Sequence, residues 1–201
     1  SVLDLAKGAG GLTSLPLNWH YRSRHEDLIS FSNYSFYDGS LNTFPGAVFD
    51  APDLGVELQY VRGIYRRGST RDNPVEASKV AERVAWFREH NPNDSIGVVT
   101  FSSAQSDCVL AEIDRQSTTV PSLYGITGEH DRLDGFFVKS LENVQGDERD
   151  VIIFSLGYGP TEEGKLHSNF GPLNRAGGWR RLNVAITRAR KRVEVVASFR
   201  A

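Results

Sequence analysis

The stretch Ser95-Ile96-Gly97-Val98-Val99-Thr100-Phe101 decides the expected fold. Its apolar residues run together instead of alternating with polar ones, which is typical of a strand that a parallel sheet buries on both faces. A helix is predicted after it over residues 103–116, and another before it over residues 73–90. The earlier helix has a defined start, because Asn73 can cap it and Glu76 stands where a capping box needs an acidic residue.

The same alternation of strands and helices continues in both directions along the chain. Further strands are predicted over residues 15–21, 56–61, 136–141, 151–157 and 193–198. Further helices are predicted over residues 26–37 and 179–191, and Gly- and Pro-rich loops over residues 38–55 and 159–178. Strands that alternate with helices in this way predict an α/β domain, with a mostly parallel sheet and helices on both of its faces.

The composition is that of an ordinary globular domain of 201 residues, 39% hydrophobic and 24% charged. No apolar run approaches the roughly 18 residues of a membrane span, and no basic segment followed by an apolar core marks a signal peptide. The single cysteine, Cys108, fits a reducing cytosol, so we expect a cytoplasmic location and no membrane partner. One cysteine and five scattered histidines also predict no metal site. Because methionine is absent, we expect residues 1–201 to be a single domain of a longer protein.

The charge is unevenly distributed along the chain. The net charge of −2 argues against a generally basic nucleic-acid coat protein, but residues 175–192 contain seven basic residues and no acidic one. On a helix over residues 179–191, Arg181 and Arg188 would form a stripe with Arg192 beside the apolar face. Guanidinium groups held in this way suit a phosphate-handling site. A solvated basic surface is the alternative interpretation.

Four polar stretches stand where an α/β sheet could bind a ligand, beyond the predicted carboxyl ends of strands. They cover residues 21–25, 100–105, 140–150 and 180–190. Each also has a simpler interpretation when taken alone: a surface turn, a helix cap, an exposed turn around a glycine, and a basic helix face. Their combination and order in one chain are more informative than any one of them.

Together the four stretches resemble the superfamily 1 helicases of the Upf/Dna2-like branch. Tyr21-Arg22-Ser23 resembles the start of motif IV, and Gly97 to Phe101 with Gln105 resembles the nucleic-acid-contacting segment after it. Residues 138–151, with Gln145-Gly146-Asp147-Glu148-Arg149-Asp150-Val151, resemble motif V. Residues 181–190, Arg-Leu-Asn-Val-Ala-Ile-Thr-Arg-Ala-Arg, resemble motif VI. The last two matches are long and specific, and the resemblance covers nearly the whole chain.

The resemblance implies a second RecA-like domain, with the fold of the P-loop NTPases but without a P-loop of its own. The chain has no G-x-x-x-x-G-K-[ST] loop and no Asp-Glu pair after a hydrophobic strand to hold Mg²⁺. Both features are expected in a first RecA-like domain. The loop over residues 159–178 is longer than expected in the eukaryotic Upf group and resembles that of large bacterial helicase-like proteins.

The resemblance also implies roles for individual residues. Arg22 and Arg188 would be the catalytic arginines that reach the γ-phosphate of ATP, while Arg181 would support the nucleotide site. Gln145, Gly146 and Glu148 would lie against the nucleotide, with Glu148 on the ribose. The residues implied for nucleic-acid contact are Thr100, Ser102, Gln105 and Ser140.

The function implied is that of a motor domain in an ATP-dependent DNA or RNA helicase or translocase. ATP and Mg²⁺ would be its cofactors, and its partners would be single-stranded DNA or RNA and the first RecA-like domain. The separate domain is expected to lack ATPase activity. Two alternatives stay open at this point: a non-catalytic module with a helicase-like fold that binds nucleic acid or protein, and an unrelated α/β domain with surface arginines.

Overall fold

A computed structural model describes residues 5–6, 8–10, 15, 18–43, 53–129 and 134–200. Its strands are β1 (Trp19–His20), β2 (Asn42–Thr43), β3 (Gly55–Tyr60), β4 (Ile96–Thr100), β5 (Phe137–Ser140), β6 (Arg149–Ser155) and β7 (Ala189–Ala197). Its α-helices are α1 (Asp27–Phe36), α2 (Pro74–His90), α3 (Ser103–Ser117) and α4 (Gly178–Ile186), and its 3₁₀ turns are Pro121–Leu123, Ile126–Glu129 and Gly171–Asn174.

Strands β3 to β7 form one sheet in the spatial order β3-β7-β6-β4-β5, and every neighbouring pair in it is parallel. The two-residue strands β1 and β2 pair with each other, also in parallel. The predicted α/β class with a mostly parallel sheet is therefore confirmed. None of the helices in the described part of the chain is long and apolar enough to cross a membrane.

The sheet has a buried layer on each face because successive residues of a strand point to opposite sides. On one face Val98 and Ile153 join a core with Val80 of α2 and Ile113 of α3. The apolar run of residues 95–101 thus supplies side chains in both directions, as its lack of alternation predicts.

The opposite face is covered by α1 and α4. There Val99 and Ile152 belong to a second core with Leu28 of α1 and Ala185 of α4. Helices therefore lie on both faces of the sheet, which confirms the prediction and leaves the two ends of the strands as the places where polar residues can gather.

Gly97 is required by this second core. A Cβ atom built on Gly97 would lie 2.4 Å from the Cζ of the Phe137 ring, which fills the space above β4. The glycine therefore allows Phe137 of the edge strand β5 to pack inward.

The helix starts follow the predicted caps. The Asn73 side chain accepts a hydrogen bond from the Glu76 backbone N–H at 3.2 Å, and the Ser102 hydroxyl accepts one from the Gln105 N–H at 3.2 Å. The second half of the predicted capping box is wrong, however. The Asn73 N–H donates to Gln105 Oε1 at 2.7 Å, and the Glu76 carboxylate turns inward instead.

The last predicted helix is wrong in its extent, because α4 ends at Ile186 and β7 begins at Ala189. Arg192 therefore lies in a strand, and no helical stripe joins it to Arg181 and Arg188. The polar sequence of this strand is accommodated by ion pairs, since Arg192 contacts the carboxylates of Glu57 and Glu194.

The other predicted helices and strands are confirmed to within two residues at each end, except the first and last strands. The last strand is predicted over residues 193–198, but β7 already begins at Ala189. Only Trp19–His20 of residues 15–21 is a strand, and residues 16–17 lie outside the described part of the chain.

Candidate nucleotide and nucleic-acid sites

The candidate residues lie at two opposite edges of the sheet. The connection over residues 141–148 leaves the carboxyl end of β5 and returns to the amino end of β6, on the far side of β4. Ser140 and Glu148 are therefore at different edges, although they belong to one motif. The seven residues of β6 separate the edges by about 20 Å, at a rise of about 3.3 Å per residue.

The expectation that all four stretches meet at the carboxyl edge is therefore wrong. Glu148 directly precedes β6 and Arg188 directly precedes β7, so both stand at the amino edge. The stretch around Arg22 is also there, because the neighbouring Arg24 N–H donates to the carbonyl of Arg190 at 2.7 Å.

Arg22, Glu148 and Arg188 form what we call the arginine cluster. The Arg22 Nε lies 3.2 Å from Glu148 Oε2, and the Arg22 Nη1 donates to the carbonyl of Thr187 at 3.4 Å. The Arg188 Nε donates to the carbonyl of Val184 at 2.8 Å, at the end of α4. Three residues that are far apart in sequence are thus brought together. Each guanidinium donates to a backbone carbonyl, that of Arg188 to Val184 in α4 and that of Arg22 to Thr187 just after it.

The arginine cluster carries more positive than negative charge. Burial, and then the neighbouring Arg22 guanidinium, lower the pKa of Arg188 from its ordinary value, but a guanidinium stays protonated at neutral pH. The Glu148 carboxylate is shared, since Arg190 Nη1 also lies 3.7 Å from it. The nearby Asp147 carboxylate accepts from Lys139 Nζ at 2.7 Å. An anion placed between Arg22 and Arg188 would therefore be stabilised.

A pocket of about 230 Å³ lies beside these two arginines. It is lined by Trp19, His20, Tyr21, Arg22, Ile29, Tyr37, Leu41, Thr187 and Arg188. Burial, and then Arg22, lower the pKa of His20, so this imidazole is neutral at neutral pH and adds no positive charge.

Three further residues, Gln145, Gly146 and Arg181, are implied for the nucleotide and are not members of the arginine cluster. Gln145 is exposed, and Gly146 is exposed with a φ of 93°, in the left-handed region that favours glycine. Arg181 is half-buried on α4, and its Nη1 is buried without a hydrogen-bond partner in the described part of the chain. Among the described residues, no hydrogen bond or ion pair joins Gln145 or Arg181 to the cluster.

The carboxyl edge holds Ser102 and Ser140, both half-buried, at the ends of β4 and β5. Thr100 and Gln105 are each 0% exposed. The Thr100 hydroxyl bonds to the carbonyl of Ser102 at 2.8 Å and to the Ser106 hydroxyl at 2.6 Å. Both side chains are thus buried and engaged in hydrogen bonds within the chain, so the structure does not support direct contact of Thr100 or Gln105 with nucleic acid.

Gln105 belongs to what we call the buried polar network, with Asn73, Glu76, Ser155 and Ser198. The Gln105 Nε2 donates to Ser155 Oγ at 3.0 Å and to the Asn73 carbonyl at 3.2 Å. The Glu76 carboxylate accepts from Ser155 at 3.0 Å and from Ser198 at 2.7 Å. The network ties the starts of α2 and α3 to the carboxyl ends of β6 and β7.

Burial raises the pKa of Glu76 to about 7, although its hydrogen bonds work in the opposite direction. Sequence reasoning missed this network because it read Glu76 as a surface capping residue. The sequence does hold one signal for it. Ser155 and Ser198 place hydroxyl groups at the ends of two apolar strands, where each needs a buried hydrogen-bond partner such as the Glu76 carboxylate.

Sequence reasoning also missed a groove at the carboxyl edge, which lies beside the loop over residues 62–72. A pocket of about 570 Å³ lies between that loop, the start of α3 and the long loop after β6. Arg67, Arg71 and Arg175 line it. Within the described part of the chain, no group of three or more His, Cys, Asp or Glu side chains could hold a metal ion.

Residues 6–200 match the family AAA_12, which is described as an AAA domain. The chain belongs to this family. The whole chain aligns with the uncharacterized ATP-dependent helicase MG140 of Mycoplasma genitalium at 37% identity over 205 residues. Its homolog in Mycoplasma pneumoniae is 34% identical over 205 residues. A regulator of nonsense transcripts 1 homolog of Arabidopsis thaliana is 28% identical over 202 residues, which cover 94% of the chain.

The matches cover only 17%, 17% and 15% of the lengths of these relatives. The chain is also similar to the C-terminal domain of a possible DNA helicase from Lactobacillus plantarum, with a TM-score of 0.44 and 14% identity, over 88% of this chain and 86% of that one. The family and the relatives confirm the resemblance to the Upf-like helicases, and the parallel sheet with helices on both faces confirms the α/β class. The chain is thus a helicase-like AAA domain, and two of these relatives are named ATP-dependent helicases.

Proposed function

We propose that this chain is the second motor domain of an ATP-dependent helicase or translocase that acts on single-stranded DNA or RNA. Arg22 and Arg188 would act on the γ-phosphate of an ATP molecule bound by a first RecA-like domain. Ser102 and Ser140, at the opposite edge, would face the nucleic-acid strand. The observation that carries the proposal is the arginine cluster, which is assembled from residues 22, 148 and 188.

The chemistry of phosphoryl transfer suits this cluster. Negative charge on the γ-phosphate oxygens must be stabilised during transfer, and an arginine supplied from outside the phosphate-binding loop is worth roughly 10³- to 10⁵-fold in rate. Arg188 is held by the Val184 carbonyl and is half-buried, so its guanidinium is oriented before an anion arrives. Such preorganised groups stabilise charge without reorganisation during the reaction.

Glu148 keeps Arg22 in place in the absence of an anion. Its Oε2 lies 3.2 Å from the Arg22 Nε. A carboxylate beside a nucleotide can also accept hydrogen bonds from ribose hydroxyls, which is the role that the family resemblance implies for Glu148. Mg²⁺, held by carboxylates of the first RecA-like domain, would neutralise part of the phosphate charge.

The test is nucleic-acid-stimulated ATP hydrolysis by the full-length protein with Arg188→Ala. We expect the turnover rate to fall roughly 10³-fold, because the substitution removes a trans arginine. Arg188→Lys keeps the charge but not the two-pronged donor geometry, so its rate should lie between the two. Arg115→Ala is the matched control, since Arg115 is an exposed α3 arginine paired with Glu112.

An unchanged turnover rate for Arg188→Ala, in protein with an unchanged melting temperature, would overturn the assignment. Full-length protein that binds nucleic acid but never hydrolyses ATP would favour the non-catalytic module instead.

A further inference from the structure

The groove at the carboxyl edge has a strongly basic lining. We call it the basic groove and define it by Tyr65, Arg67, Arg71, Ser102, Ser103 and Arg175, all of which line the pocket of about 570 Å³. Two of its walls, the loop over residues 62–72 and the loop after β6, lie outside the motifs that resemble the helicases. Their backbones are joined where the Tyr65 N–H donates to the Pro160 carbonyl at 2.9 Å.

Among the residues that the structure describes, no carboxylate pairs with the arginines of the basic groove. The loop over residues 62–72 has one acidic residue, Asp72, and Arg66 already binds both oxygens of it at 2.7 and 2.8 Å. Arg67, Arg71 and Arg175 are exposed, and no ion pair involves them in the described part of the chain. Three positive charges therefore face one cavity without compensation.

Negative charge lies at one end of the basic groove, where Glu162 and Glu163 are found. They line a neighbouring pocket that also includes Arg67. A polyanion would therefore run away from them, towards the start of α3.

The backbone at Arg71 indicates that the side chain matters. Arg71 has a φ of 59°, in the left-handed region, where residues other than glycine pay about 1 kcal/mol or more. Glycine or asparagine would fit this turn at lower cost. Such strain is a feature of ligand-binding segments, where the side chain is needed at that position.

The floor of the basic groove adds neutral donors and an aromatic surface. Ser102 and Ser103 stand at the amino end of α3, a helix of 15 residues, where N–H groups and the helix dipole favour phosphate. The half-buried Tyr65 ring lies 5.2 Å from the ring of Tyr158, which fixes its position. A ring held in this way can stack against a nucleic-acid base.

We propose that the basic groove binds the sugar-phosphate backbone of single-stranded nucleic acid, with Arg67, Arg71 and Arg175 on its phosphates and Tyr65 beside a base. The inference rests on the proposed function, which supplies the class of ligand. The strand would cross the carboxyl edge from the β3 side towards Ser140 of β5. Five strands about 4.8 Å apart give a path of about 19 Å, which has room for several nucleotides.

The test is binding of a fluorescent oligo-dT strand to the full-length protein, measured by anisotropy over a range of salt concentrations. We expect Arg67→Ala/Arg71→Ala/Arg175→Ala to weaken binding roughly tenfold or more at about 0.15 M salt. The slope of log K against log salt should become shallower by about 2, because each phosphate contact to a single strand contributes about 0.7. The corresponding triple lysine variant should keep most of the slope.

The controls separate local from general effects of charge. The double variant Lys79→Ala/Arg115→Ala removes two basic residues of α2 and α3 that pair with helix carboxylates. Equal weakening by the control double variant would overturn the proposal, as would a triple alanine variant with unchanged affinity and slope. Inorganic phosphate or ATP that displaces the oligonucleotide as effectively as unlabelled strand would assign the groove to a small phosphate ligand, and would also overturn it.

A measurement on the unaltered protein covers the case in which the triple variant does not fold. Hydrogen exchange of the full-length protein should slow in residues 66–72 and 167–175 when oligo-dT is bound, and unchanged exchange there would overturn the proposal. These readouts do not depend on ATP hydrolysis, so protein that hydrolyses ATP normally but shows no groove effect would refute this inference alone.

Discussion

Replacing Glu76 by glutamine should remove much of the pH dependence of the chain's stability between about pH 5 and pH 8. The Glu76 side chain is 0% exposed. Burial raises its pKa to about 7 from 4.5 in the unfolded chain. The folded state therefore binds the carboxyl proton of Glu76 more tightly than the unfolded chain does. As a result, Glu76 stabilises the folded state most below about pH 4.5, where it is protonated in both states. That contribution is lost as the pH rises through about 7.

The size of the effect follows from the two pKa values. One pKa unit corresponds to about 1.4 kcal/mol, so the full loss is about 3 kcal/mol, and most of it falls between pH 5 and pH 8. Glutamine has no titrating proton, so its free energy of unfolding should lack this component. The difference between the two proteins isolates Glu76, because all other titrating groups are common to both.

Glutamine is also the substitution that the surrounding donors tolerate. Its amide oxygen can accept from the Gly157 N–H, which lies 2.7 Å from Glu76 Oε2, and its amide group can donate to the Ser198 hydroxyl, 2.7 Å from Oε1. Glu76→Ala is the contrasting variant, because it leaves the buried Gly157 N–H without its acceptor. We expect alanine to cost about 2–4 kcal/mol at pH 5, from that donor and the lost serine contacts.

The assay is urea unfolding of the chain and its two variants at pH 5 and pH 8. We expect the wild-type free energy of unfolding to fall by about 2–3 kcal/mol more than that of Glu76→Gln over this interval. Parallel pH profiles for the two proteins would refute the reasoning, because they would show that the carboxyl does not take up a proton on folding.

Two further predictions concern packing and catalysis. Gly97→Ala should destabilise the chain by about 1–3 kcal/mol in the same unfolding assay, because the added Cβ would overlap the Phe137 ring. Gly128→Ala is the matched control, since a Cβ added there meets no atom within 4 Å, and equal destabilisation by the two variants would contradict the packing argument. The separate 201-residue chain should show no Mg²⁺-dependent ATP hydrolysis in a phosphate-release assay, because it has no G-x-x-x-x-G-K-[ST] loop. Robust ATP turnover by the pure chain would contradict the proposal that the ATP site is divided between two domains.

The sequence predicts the elements best where local chemistry decides them. Asn73 and Ser102 cap α2 and α3 because their side chains satisfy backbone donors a few residues away, which requires no tertiary information. The strand over residues 96–100 is equally local, because its apolar run is short and bounded by polar residues. By contrast, the charged sequence of β7 has tertiary partners, since Arg192 pairs with Glu57 of β3 and with Glu194.

The candidate site was less predictable, because it depends on which edge each residue reaches. The residues of the arginine cluster were identified from their motifs, but their position at the amino edge follows from a connection that crosses β4 without a helix. The burial of Thr100 and Gln105 also could not be read from their residue types. Both are polar residues beside a strand end, and only the tertiary partners Asn73, Ser106 and Ser155 show that they are interior.

The arrangement of the two edges suggests how the proposed ATP site and the proposed strand path would be coupled. Glu148 and Arg188 directly precede β6 and β7, which pair with each other in the middle of the sheet. At their carboxyl ends the same two strands are tied by Ser155 and Ser198 to Glu76. Two paired strands about 20 Å long, anchored at both ends, move as a rigid unit rather than bending.

A displacement of the arginine cluster towards a γ-phosphate would therefore shift the carboxyl edge with it. Because the buried polar network also holds the starts of α2 and α3, the Ser102 end of the basic groove would follow β6 and β7. Coupling of this kind needs no separate relay of side chains between the edges. It requires instead that the domain stay rigid while the cleft to its partner domain opens and closes, and the fully hydrogen-bonded interior around Glu76 and Gln105 supplies that rigidity.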